Sequence, residues 1–495
     1  MDSASYSKPA APAASLKENA ISFASNVVIG VASAAPAYSL AAALPALVAA
    51  AKFGVPAVVM VAFIPILFIA AAYYHLNRAD PDCGTTFSWV TRAMGPYAGF
   101  MGGWAIIATD ILVMPGLAQV AAQYTLHIFD VEQASPVTVT MIGVIWIVLM
   151  TAICYFGIEL SAHMQKALLA AEVSILFLFS AVALTKVYAG GVAGGKPVAL
   201  EWFNPFSVEN RESFTIAMLV AVFIYWGWDT GASVNEETEN PKTAPARAAI
   251  VATILLVALY VVVAIAAIAF AEPGLETYNG DDFLAPLATT VLGAGVAKLL
   301  VLAVLSSTAA CTQTTILPAA RTAISMARAG AVPRRFADVH PRYLTPSFAT
   351  LAMGVVSIVW YVGLIFLAGN NVLQDSVTST AIGIAFYYGL TGFACVLYYR
   401  RELGKNLRNF LFMGVVPALG GVITLVLLLG ALVNYSSPDQ NKTSFAGIGA
   451  AVLFGVGGLL IGVVLMLFAR FASPAFFSRK REVVDPMLVG LETPR

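Results

Sequence analysis

Long apolar stretches, separated by short polar segments, run along almost the whole chain. Each stretch has at least the roughly 20 residues that a helix needs to cross a bilayer, and twelve of them are distinguishable. Their approximate bounds are 21–50, 54–76, 97–128, 137–157, 165–188, 213–235, 246–271, 296–320, 347–368, 376–398, 409–433 and 445–470. The pattern predicts an all-α integral membrane protein with twelve transmembrane helices.

Two of these stretches are interrupted near their middle. The sixth contains YWGWDTG, from Tyr225 to Gly231, and the first contains SAAPAYS, in which Pro36 follows a run of small residues. In hydrocarbon an unpaired backbone group costs several kcal/mol, so a helix is unwound only where protein or water receives the freed groups. Paired interruptions at matching places are typical of the binding site of a secondary transporter.

The composition and the distribution of charge agree with a membrane protein. Hydrophobic residues make up 59% of the chain and charged residues 11%, which excludes an ordinary soluble protein. With the N-terminus placed in the cytoplasm, 21 of the 27 Lys and Arg residues fall on the cytoplasmic side. The positive-inside rule therefore predicts a multi-pass protein of the cell membrane with both termini cytoplasmic. A net charge of zero argues against nucleic-acid binding.

Three carboxylates, Asp110, Glu172 and Asp229, fall inside predicted spans, and no Lys or Arg lies at a comparable depth. A charge at the centre of a spanning helix costs about 2.5 to 3.5 kcal/mol or more, so either some are protonated or a cation joins them. We interpret Asp229 as a site for a substrate ammonium or a proton, or else as a helix cap. Asp110 is a second such group or makes a structural hydrogen bond, and Glu172 carries the coupling proton or meets water near the cytoplasmic end of span five.

Aromatic residues beside the interruptions are candidate substrate contacts. Trp226 and Trp228 flank Gly227, and either ring is suited to stack over an ammonium group; packing or interfacial anchoring is the alternative. Tyr38 and Tyr225 are weaker candidates of the same kind.

Other polar residues have ordinary interpretations. The four cysteines show no metal-type spacing, and we expect free thiols. The cluster CTQTT at 311–315 is expected to form hydrogen bonds between helices. Glu236, Glu237 and Glu239 are expected to form a solvated charged loop, with an inner gate as the alternative.

Four blocks resemble signatures of the amino acid–polyamine–organocation permeases. They are PDCGTTFSWVTRAMGPYAGFMGGW (81–104), YFGIELSAHMQ (155–165), FIYWGWDTGASVNEETENP (223–241) and ARAGAVPRRFADVHPRYLTP (327–346). The resemblance implies a LeuT-type five-plus-five inverted repeat with two extra C-terminal helices. Its parts are an N-terminal tail (1–20), repeats at 21–188 and 213–398, the extra helices at 409–470 and a C-terminal tail (471–495).

The same resemblance implies that substrate lies between the unwound parts of spans one and six. Ser33, Ala34 and Ala35 stand where most members have a Gly-Ser-Gly break whose amides bind an α-carboxylate. Glu172 stands where many members have a Lys in span five. The acidic Asp110 in GWAIIATD is also found in putrescine and amine importers, the branch that the chain resembles most.

We therefore expect a secondary active transporter that imports an amino acid, with a proton rather than sodium as the coupling ion. A putrescine-like polyamine importer and an obligate amino acid exchanger are the alternatives. Its partners are the small-molecule substrate, the proton and membrane lipid; the oligomeric state is left open. No cofactor or metal is expected, and no nucleophile elbow or catalytic pair of carboxylates indicates an enzyme. A nutrient sensor without transport is a further alternative.

Overall fold

The computed structural model describes residues 15–131, 133–192, 194–271, 284–438, 441 and 443–478. These residues are mainly α-helical, as an apolar environment requires, because a helix pairs its backbone groups within one segment. The two predicted tails lie mostly outside the described residues.

The helices follow one another along the chain with short connections. In order, they are α1 (Phe23–Ala34), α2 (Pro36–Ala51), α3 (Val55–Ala79), α4 (Thr86–Met94), α5 (Pro96–Ile128), α6 (Pro136–Phe156), α7 (Ile158–Tyr188), α8 (Arg211–Ile224), α9 (Thr230–Ser233), α10 (Ala244–Ala271), α11 (Leu284–Leu292), α12 (Ala294–Arg328), α13 (Ser347–Ala368), α14 (Val372–Tyr398), α15 (Leu407–Asn409), α16 (Val416–Asn434), α17 (Ala450–Ala472) and α18 (Pro474–Phe477). A π-helical segment, Phe410–Val415, joins α15 to α16.

Ten segments of the described chain are long and apolar enough to cross a membrane. The first, Phe23–Ala79, has 57 residues and contains α1, α2 and α3, so it includes the first two predicted spans. The predicted span 213–235 is not among the ten, because the break leaves α8 with only 14 residues. The other nine segments coincide with predicted spans three to five and seven to twelve.

Several predicted boundaries differ from those observed. Helix α7 begins at Ile158 rather than 165, and α12 continues to Arg328 rather than ending at 320, because a helix does not stop where its apolar stretch ends. The last span begins at Ala450 rather than 445. The preceding residues form a short antiparallel hairpin, β1 (Ser444–Phe445) with β2 (Ile448–Gly449), so the chain is not entirely α-helical. Its two turn residues both have positive φ, as a two-residue hairpin turn demands.

The helices around the two interruptions pack into one core. Helix α1 packs against α7, α10 and α12, and α9 packs against α1, α10 and α12. Helix α3 packs against α8, α10 and α14, and α5 packs against α12 and α14. Consequently, the broken segments lie within reach of side chains from six helices, namely α3, α5, α7, α10, α12 and α14.

Candidate functional site

The first interruption lies between α1 and α2, at Ala35. Its backbone has φ 47° and ψ 67°, a left-handed conformation that residues with a Cβ atom seldom adopt. The next residue, Pro36, begins α2 and has no N–H with which to continue the hydrogen bonds of α1. The break predicted from SAAPAYS is therefore confirmed, and its turn contains no glycine.

Neighbouring side chains satisfy the carbonyl groups at the end of α1. The carbonyl of Ala34 accepts hydrogen bonds from Ser39 Oγ at 2.6 Å and from the Tyr260 hydroxyl at 3.2 Å. The carbonyl of Ser33 accepts one from Cys311 Sγ at 3.1 Å. Cys311 belongs to CTQTT, so this cluster links helices as the sequence predicts.

The amide groups at the start of α2 face Glu172, which projects from the middle of α7. Ala37 N donates to Glu172 Oε1 at 2.7 Å, and Ser307 Oγ donates to the same oxygen at 2.8 Å. Tyr38 N donates to Ser307 Oγ at 3.2 Å. Glu172 is fully buried near the middle of α7, and not near its end as the alternative interpretation has it. Instead, it places an acceptor at the positive end of α2.

The second interruption follows α8 and lies directly against the first. Gly227 has φ 110°, and a Cβ atom there would be 2.6 Å from the carbonyl oxygen of Ser33. Ser33 Oγ and Thr230 Oγ1 share a hydrogen bond of 2.8 Å. The Tyr260 hydroxyl, which reaches the end of α1, also lies 2.5 Å from the carbonyl oxygen of Ile224 at the end of α8. Both interruptions therefore form one junction.

Three tyrosine hydroxyls surround the carboxylate of Asp229. Tyr388 donates to Oδ1 at 2.9 Å, while Tyr73 and Tyr387 donate to Oδ2 at 3.2 Å each. Asp229 precedes α9, but its side chain makes no capping hydrogen bond. The cap proposed as the alternative role of Asp229 is therefore not formed.

The two tryptophans of YWGWDTG belong to the same aromatic cluster. Trp226 Nε1 donates to the Tyr387 hydroxyl at 2.6 Å. The ring of Trp228 is fully buried, with its centroid 5.0 Å from that of Tyr73 and 5.7 Å from that of Tyr388. Packing therefore accounts for much of their surface.

The two weaker aromatic candidates differ in their surroundings. Tyr225 turns towards α3, where its hydroxyl donates to the carbonyl of Val59 at 2.9 Å. Tyr38 is buried at the start of α2, with its hydroxyl close to Gly116 of α5. The structure thus places Tyr38 at the junction and directs the Tyr225 hydroxyl away from it.

Asp110 lies near the middle of α5 and is almost completely buried. It is close enough to Asp229 for the two charges to interact, and Cys311 at the first interruption is within range of both Asp110 and Glu172. In the part of the chain that the structure describes, no Lys or Arg forms an ion pair with any of the three carboxylates. The predicted carboxylates are therefore grouped around the junction.

Four buried polar atoms near the junction have no hydrogen-bond partner among the described residues. They are the Tyr38 hydroxyl, Asp110 Oδ2, Glu172 Oε2 and Trp228 Nε1. Most buried polar atoms in native proteins are paired, and an exception calls for an explanation. At a broken-helix junction, such atoms are suited to a polar ligand or a transferable proton.

Sequence reasoning missed the tyrosines that hold the junction together. Tyr73 on α3, Tyr260 on α10, and Tyr387 and Tyr388 on α14 all donate to groups at or beside the breaks. A buried tyrosine hydroxyl in an apolar span needs a partner, so the adjacent pair in IAFYYGL was an available signal.

Two of the three acidic residues after the second interruption form ion pairs, whereas Glu239 is exposed, as expected for a solvated loop. Glu237 is fully buried and makes a bidentate pair with Arg321 of α12, at 2.6 Å and 2.9 Å. Glu236 pairs with Arg328 at 2.7 Å. The expected solvated loop is therefore wrong for Glu237, because the extension of α12 beyond 320 brings a guanidinium group to it.

The start of the first span is tied to the same region. Ile21 N donates to the carbonyl of Glu237 at 3.0 Å, and Asn26 Nδ2 donates to Gly231 O at 2.9 Å and Thr238 Oγ1 at 3.0 Å. These contacts hold the two broken spans together at the end that carries Arg321.

One group of potential metal ligands lies beside this ion pair. Ligand atoms of Asp82, Cys83 and Glu236 are all within 4.8 Å of one another. However, Glu236 already accepts hydrogen bonds from Arg328 and from Cys83 N, and Asp82 Oδ1 accepts one from Ser325. Burial, together with the carboxylates of Glu236 and Asp82, raises the pKa of the Cys83 thiol well above its usual value. A protonated thiol is a poor metal ligand. As predicted, all four cysteines are free thiols.

The chain is similar to several known proteins. A family model described as amino acid permease matches residues 19–475. An uncharacterized transporter of Mycobacterium tuberculosis is 27% identical over 451 residues, which are 90% of this chain and 91% of that protein. The low-affinity putrescine importer PlaP of Escherichia coli is 22% identical and aligns over 74% of this chain and 79% of its own length.

The fold is similar to that of a solved structure. The crystal structure of MhsT in complex with L-phenylalanine aligns with a TM-score of 0.61, over 82% of this chain and 98% of that chain. At 13% sequence identity the likeness concerns the fold alone. Together with the apolar helices, these similarities identify a multi-pass membrane protein of the permease type.

Proposed function

Because the chain belongs to the amino acid permease family, we propose that it is a secondary active transporter that imports an amino acid by proton symport. Substrate binds at the junction of the two interrupted spans and crosses by alternating access. The sites proposed for substrate are the backbone of Ser33, Ala34, Ala35 and Gly227 together with side chains of Tyr38, Asp110, Tyr225, Trp226, Trp228 and Asp229. Of these, Tyr225 is the weakest, since its hydroxyl binds the carbonyl of Val59.

The proposal rests on the contact between the two breaks, near which four buried polar atoms have no partner among the described residues. A purely structural junction would be expected to pair these atoms. A bound amino acid supplies both donors and acceptors, and a proton on a carboxylate supplies a donor.

We propose the twelve-span arrangement for the membrane. The 57-residue segment Phe23–Ala79 crosses twice, and α8 with α9 completes the sixth span. Spans one to five and six to ten form the inverted repeat, which the matching positions of the two breaks and the likeness to MhsT support. Spans eleven and twelve lie outside it.

In the proposed orientation, the end of the bundle that carries Arg321 and Arg401 faces the cytoplasm, and both termini lie inside. A cysteine at exposed Arg401 should then resist a membrane-impermeant thiol reagent added to intact cells, whereas one at exposed Glu209 should react. The reverse pattern would overturn the orientation.

Glu172 is proposed as the proton-coupling residue. When ionised, it accepts charge-assisted hydrogen bonds from Ala37 N and Ser307 Oγ and fixes the start of α2. Protonation weakens these bonds and releases the first interruption. Asp110, whose Oδ2 has no partner among the described side chains, is the second candidate for a transferable proton.

The Glu237–Arg321 pair is proposed as the inner gate. It is buried where α12 meets the chain that follows α9, and Asn26 ties the first span to the same place. Release of α2 by protonation, together with substrate binding, would allow this end to open. Because both broken spans contribute to the gate and to the junction, a change at the junction is transmitted to the gate.

A small amine such as putrescine is the second candidate cargo. Pro36 has no N–H, and the Ala37 and Tyr38 amides are already bonded to Glu172 and Ser307, so few amides at the start of α2 remain for a substrate carboxylate. Three acidic side chains near the junction favour a cationic cargo, and the similarity to PlaP points the same way. An obligate amino acid exchanger is the remaining alternative.

A thermal-shift screen of amino acids and polyamines on the purified protein, followed by uptake into proteoliposomes, tests this function. We expect one class of cargo to stabilise the protein and to accumulate in vesicles that contain no internal substrate. Stabilisation by polyamines alone would establish the amine alternative. Uptake that requires internal substrate would identify an exchanger, and binding without any flux would contradict transport.

A further inference from the structure

A groove of about 1010 Å³ lies on the outside of the helix bundle, away from the junction. Its walls are α3, α10 and the segment that runs from α15 through the π-helical residues into α16. Two of its lining residues, Leu407 and Phe412, are 71% and 50% exposed, so the groove opens onto the surface that faces lipid. None of the proposed substrate or coupling residues lines it.

The two ends of the groove have different chemistry. Leu67, Phe68 and Ala71 of α3 line one end, with Met413 and Val416 opposite. His75 and Arg78 line the other end, together with Asn406, Arg408 and Asn409. At 1.5 Å per residue, α3 rises about 16 Å from Leu67 to Arg78. This is close to half of the ~30 Å hydrocarbon thickness, which is the depth of one leaflet.

The polar end of the groove is positively charged and has no acidic partner in the described part of the chain. Among the described residues, Arg78 hydrogen-bonds only to the hydroxyl of Tyr74, at 3.1 Å, and Arg408 forms no ion pair. The imidazole of His75 interacts electrostatically with both guanidinium groups. The nearby carboxylate of Glu402 is engaged by Lys405 at 2.6 Å. Two unneutralised guanidinium groups at the depth of lipid headgroups are complementary to a phosphate.

We propose that this groove is a binding site for an anionic glycerophospholipid of the leaflet that surrounds the positively charged end of the protein. Its phosphate binds Arg78 and Arg408, and one acyl chain lies along the apolar face of α3. The π-helical residues Phe412 and Met413 form part of the opposite wall, and such segments are frequent at functional sites. Since Tyr73, next to Tyr74 on α3, donates to Asp229, the bound lipid braces the helix that helps to hold the junction.

The test measures the thermal stability of the full-length, delipidated protein in detergent after addition of phosphatidylglycerol, phosphatidylcholine or free glycerol 3-phosphate. A ligand that binds the folded state raises Tm. We expect phosphatidylglycerol to raise Tm most and glycerol 3-phosphate to have no effect. The shift caused by phosphatidylglycerol should fall by at least about half in the double variant Arg78→Gln/Arg408→Gln.

The matched control is Arg400→Gln/Arg401→Gln, which removes two charges from the loop between α14 and α15 but changes no residue of the groove. It should retain the full lipid effect. If the first double variant does not fold, Ala71→Trp, which fills the apolar end, should abolish the same shift. Equal shifts with the two phospholipids, or equal losses in both double variants, would overturn the proposal. A shift with glycerol 3-phosphate as large as that with phosphatidylglycerol would identify a soluble-phosphate site instead of a lipid site.

Discussion

Glu172 illustrates how one buried side chain serves both structure and coupling. It accepts the Ala37 amide and the Ser307 hydroxyl through Oε1, while Oε2 has no partner among the described residues. A single oxygen thus secures the start of α2, and the other is available to a proton. The structural and proposed coupling roles are therefore separable by substitution.

Glu172→Ala should lower the stability of the folded protein, whereas Glu172→Gln should preserve most of it. Alanine leaves a buried amide and a buried hydroxyl without their acceptor, at a cost of about 1–3 kcal/mol. The glutamine carbonyl still accepts both hydrogen bonds. Thermal unfolding in detergent measures the difference, with Glu159→Gln at an exposed position of the same helix as control. Equal losses of Tm in the Ala and Gln variants would contradict the hydrogen-bonding role.

Asp229 shows a different arrangement at the second break. Its two oxygens accept three tyrosine hydroxyls from α3 and α14. Hydroxyl donors solvate an ionised carboxylate without neutralising it, so Asp229, when it is ionised, places a negative charge beside the junction. Asp229 could therefore attract a cationic group of the substrate from a short distance. It could also bind that group directly if the three tyrosines rearrange.

At the scale of elements, the two breaks form by different means. Ala35 adopts a left-handed conformation because Pro36 prevents α1 from continuing. Gly227, by contrast, has a positive φ that residues with a side chain rarely adopt. The glycine also permits contact, since it lies directly against the carbonyl of Ser33. The close approach of the broken spans therefore depends on the absence of a Cβ atom at Gly227.

Gly227→Ala should destabilise the protein and abolish transport. The strained φ costs about 1–3 kcal/mol, and the new Cβ atom would lie 2.6 Å from Ser33 O, so the two breaks must move apart. Gly457→Ala in α17 is the control, because a Cβ there meets nothing within 4 Å. The control should have equal or higher Tm, since alanine favours a helix by about 0.8–1.0 kcal/mol over glycine. Uptake by Gly227→Ala at the native rate would contradict this account of the junction.

The buried Glu237–Arg321 pair should control access to Cys83, whose thiol donates to the carbonyl of Arg321. Arg321→Gln leaves a buried carboxylate unpaired, which costs about 3–5 kcal/mol and disfavours the closed arrangement. In a variant that retains Cys83 as its only cysteine, Arg321→Gln should therefore accelerate alkylation of the thiol. Lys17→Gln, at an exposed ion pair, should leave the rate unchanged.

The dependence of this labelling on pH has a definite sign. The raised pKa of Cys83 means that the closed protein contains less thiolate at pH 8 than an ordinary exposed thiol. Opening hydrates the thiol and lowers its pKa, so the labelling curve of Arg321→Gln should shift to lower pH. The double variant Glu237→Gln/Arg321→Gln has no unpaired buried charge, so it should recover Tm and label at a rate closer to that of the parent. Labelling of Arg321→Gln as slow as that of the parent would exclude the pair as a gate.

At the scale of the whole molecule, sequence reasoning located the spans and both breaks, because apolar length and proline are local signals. It did not locate the partners of the breaks. Tyr73, Tyr260 and Tyr388 are far from them in sequence, and only helix packing brings their hydroxyls to Asp229 and the free carbonyls. The burial of Glu237 was missed because it depends on the continuation of α12 to Arg321. The hairpin before α17 was missed as well, because its turn residues lie within a short polar segment that was assigned to the last span.

The molecule as a whole connects its charged end to its centre through the two broken spans. The first span binds Glu172 at its break and the chain beyond α9 at its start. The second span binds the tyrosine cluster at its break and Arg321 beyond it. Protonation at Glu172 is thus proposed to act on the gate through α1 rather than through direct contact.

Uptake driven by a pH gradient in proteoliposomes tests this central claim most directly. With the cargo found by the thermal-shift screen, an acidic exterior should accelerate uptake by the native protein several-fold. Glu172→Gln should lose that acceleration while still exchanging internal for external substrate, which shows that its binding site is intact. A native protein indifferent to the imposed gradient, or a Glu172→Gln variant with the full acceleration, would contradict the account.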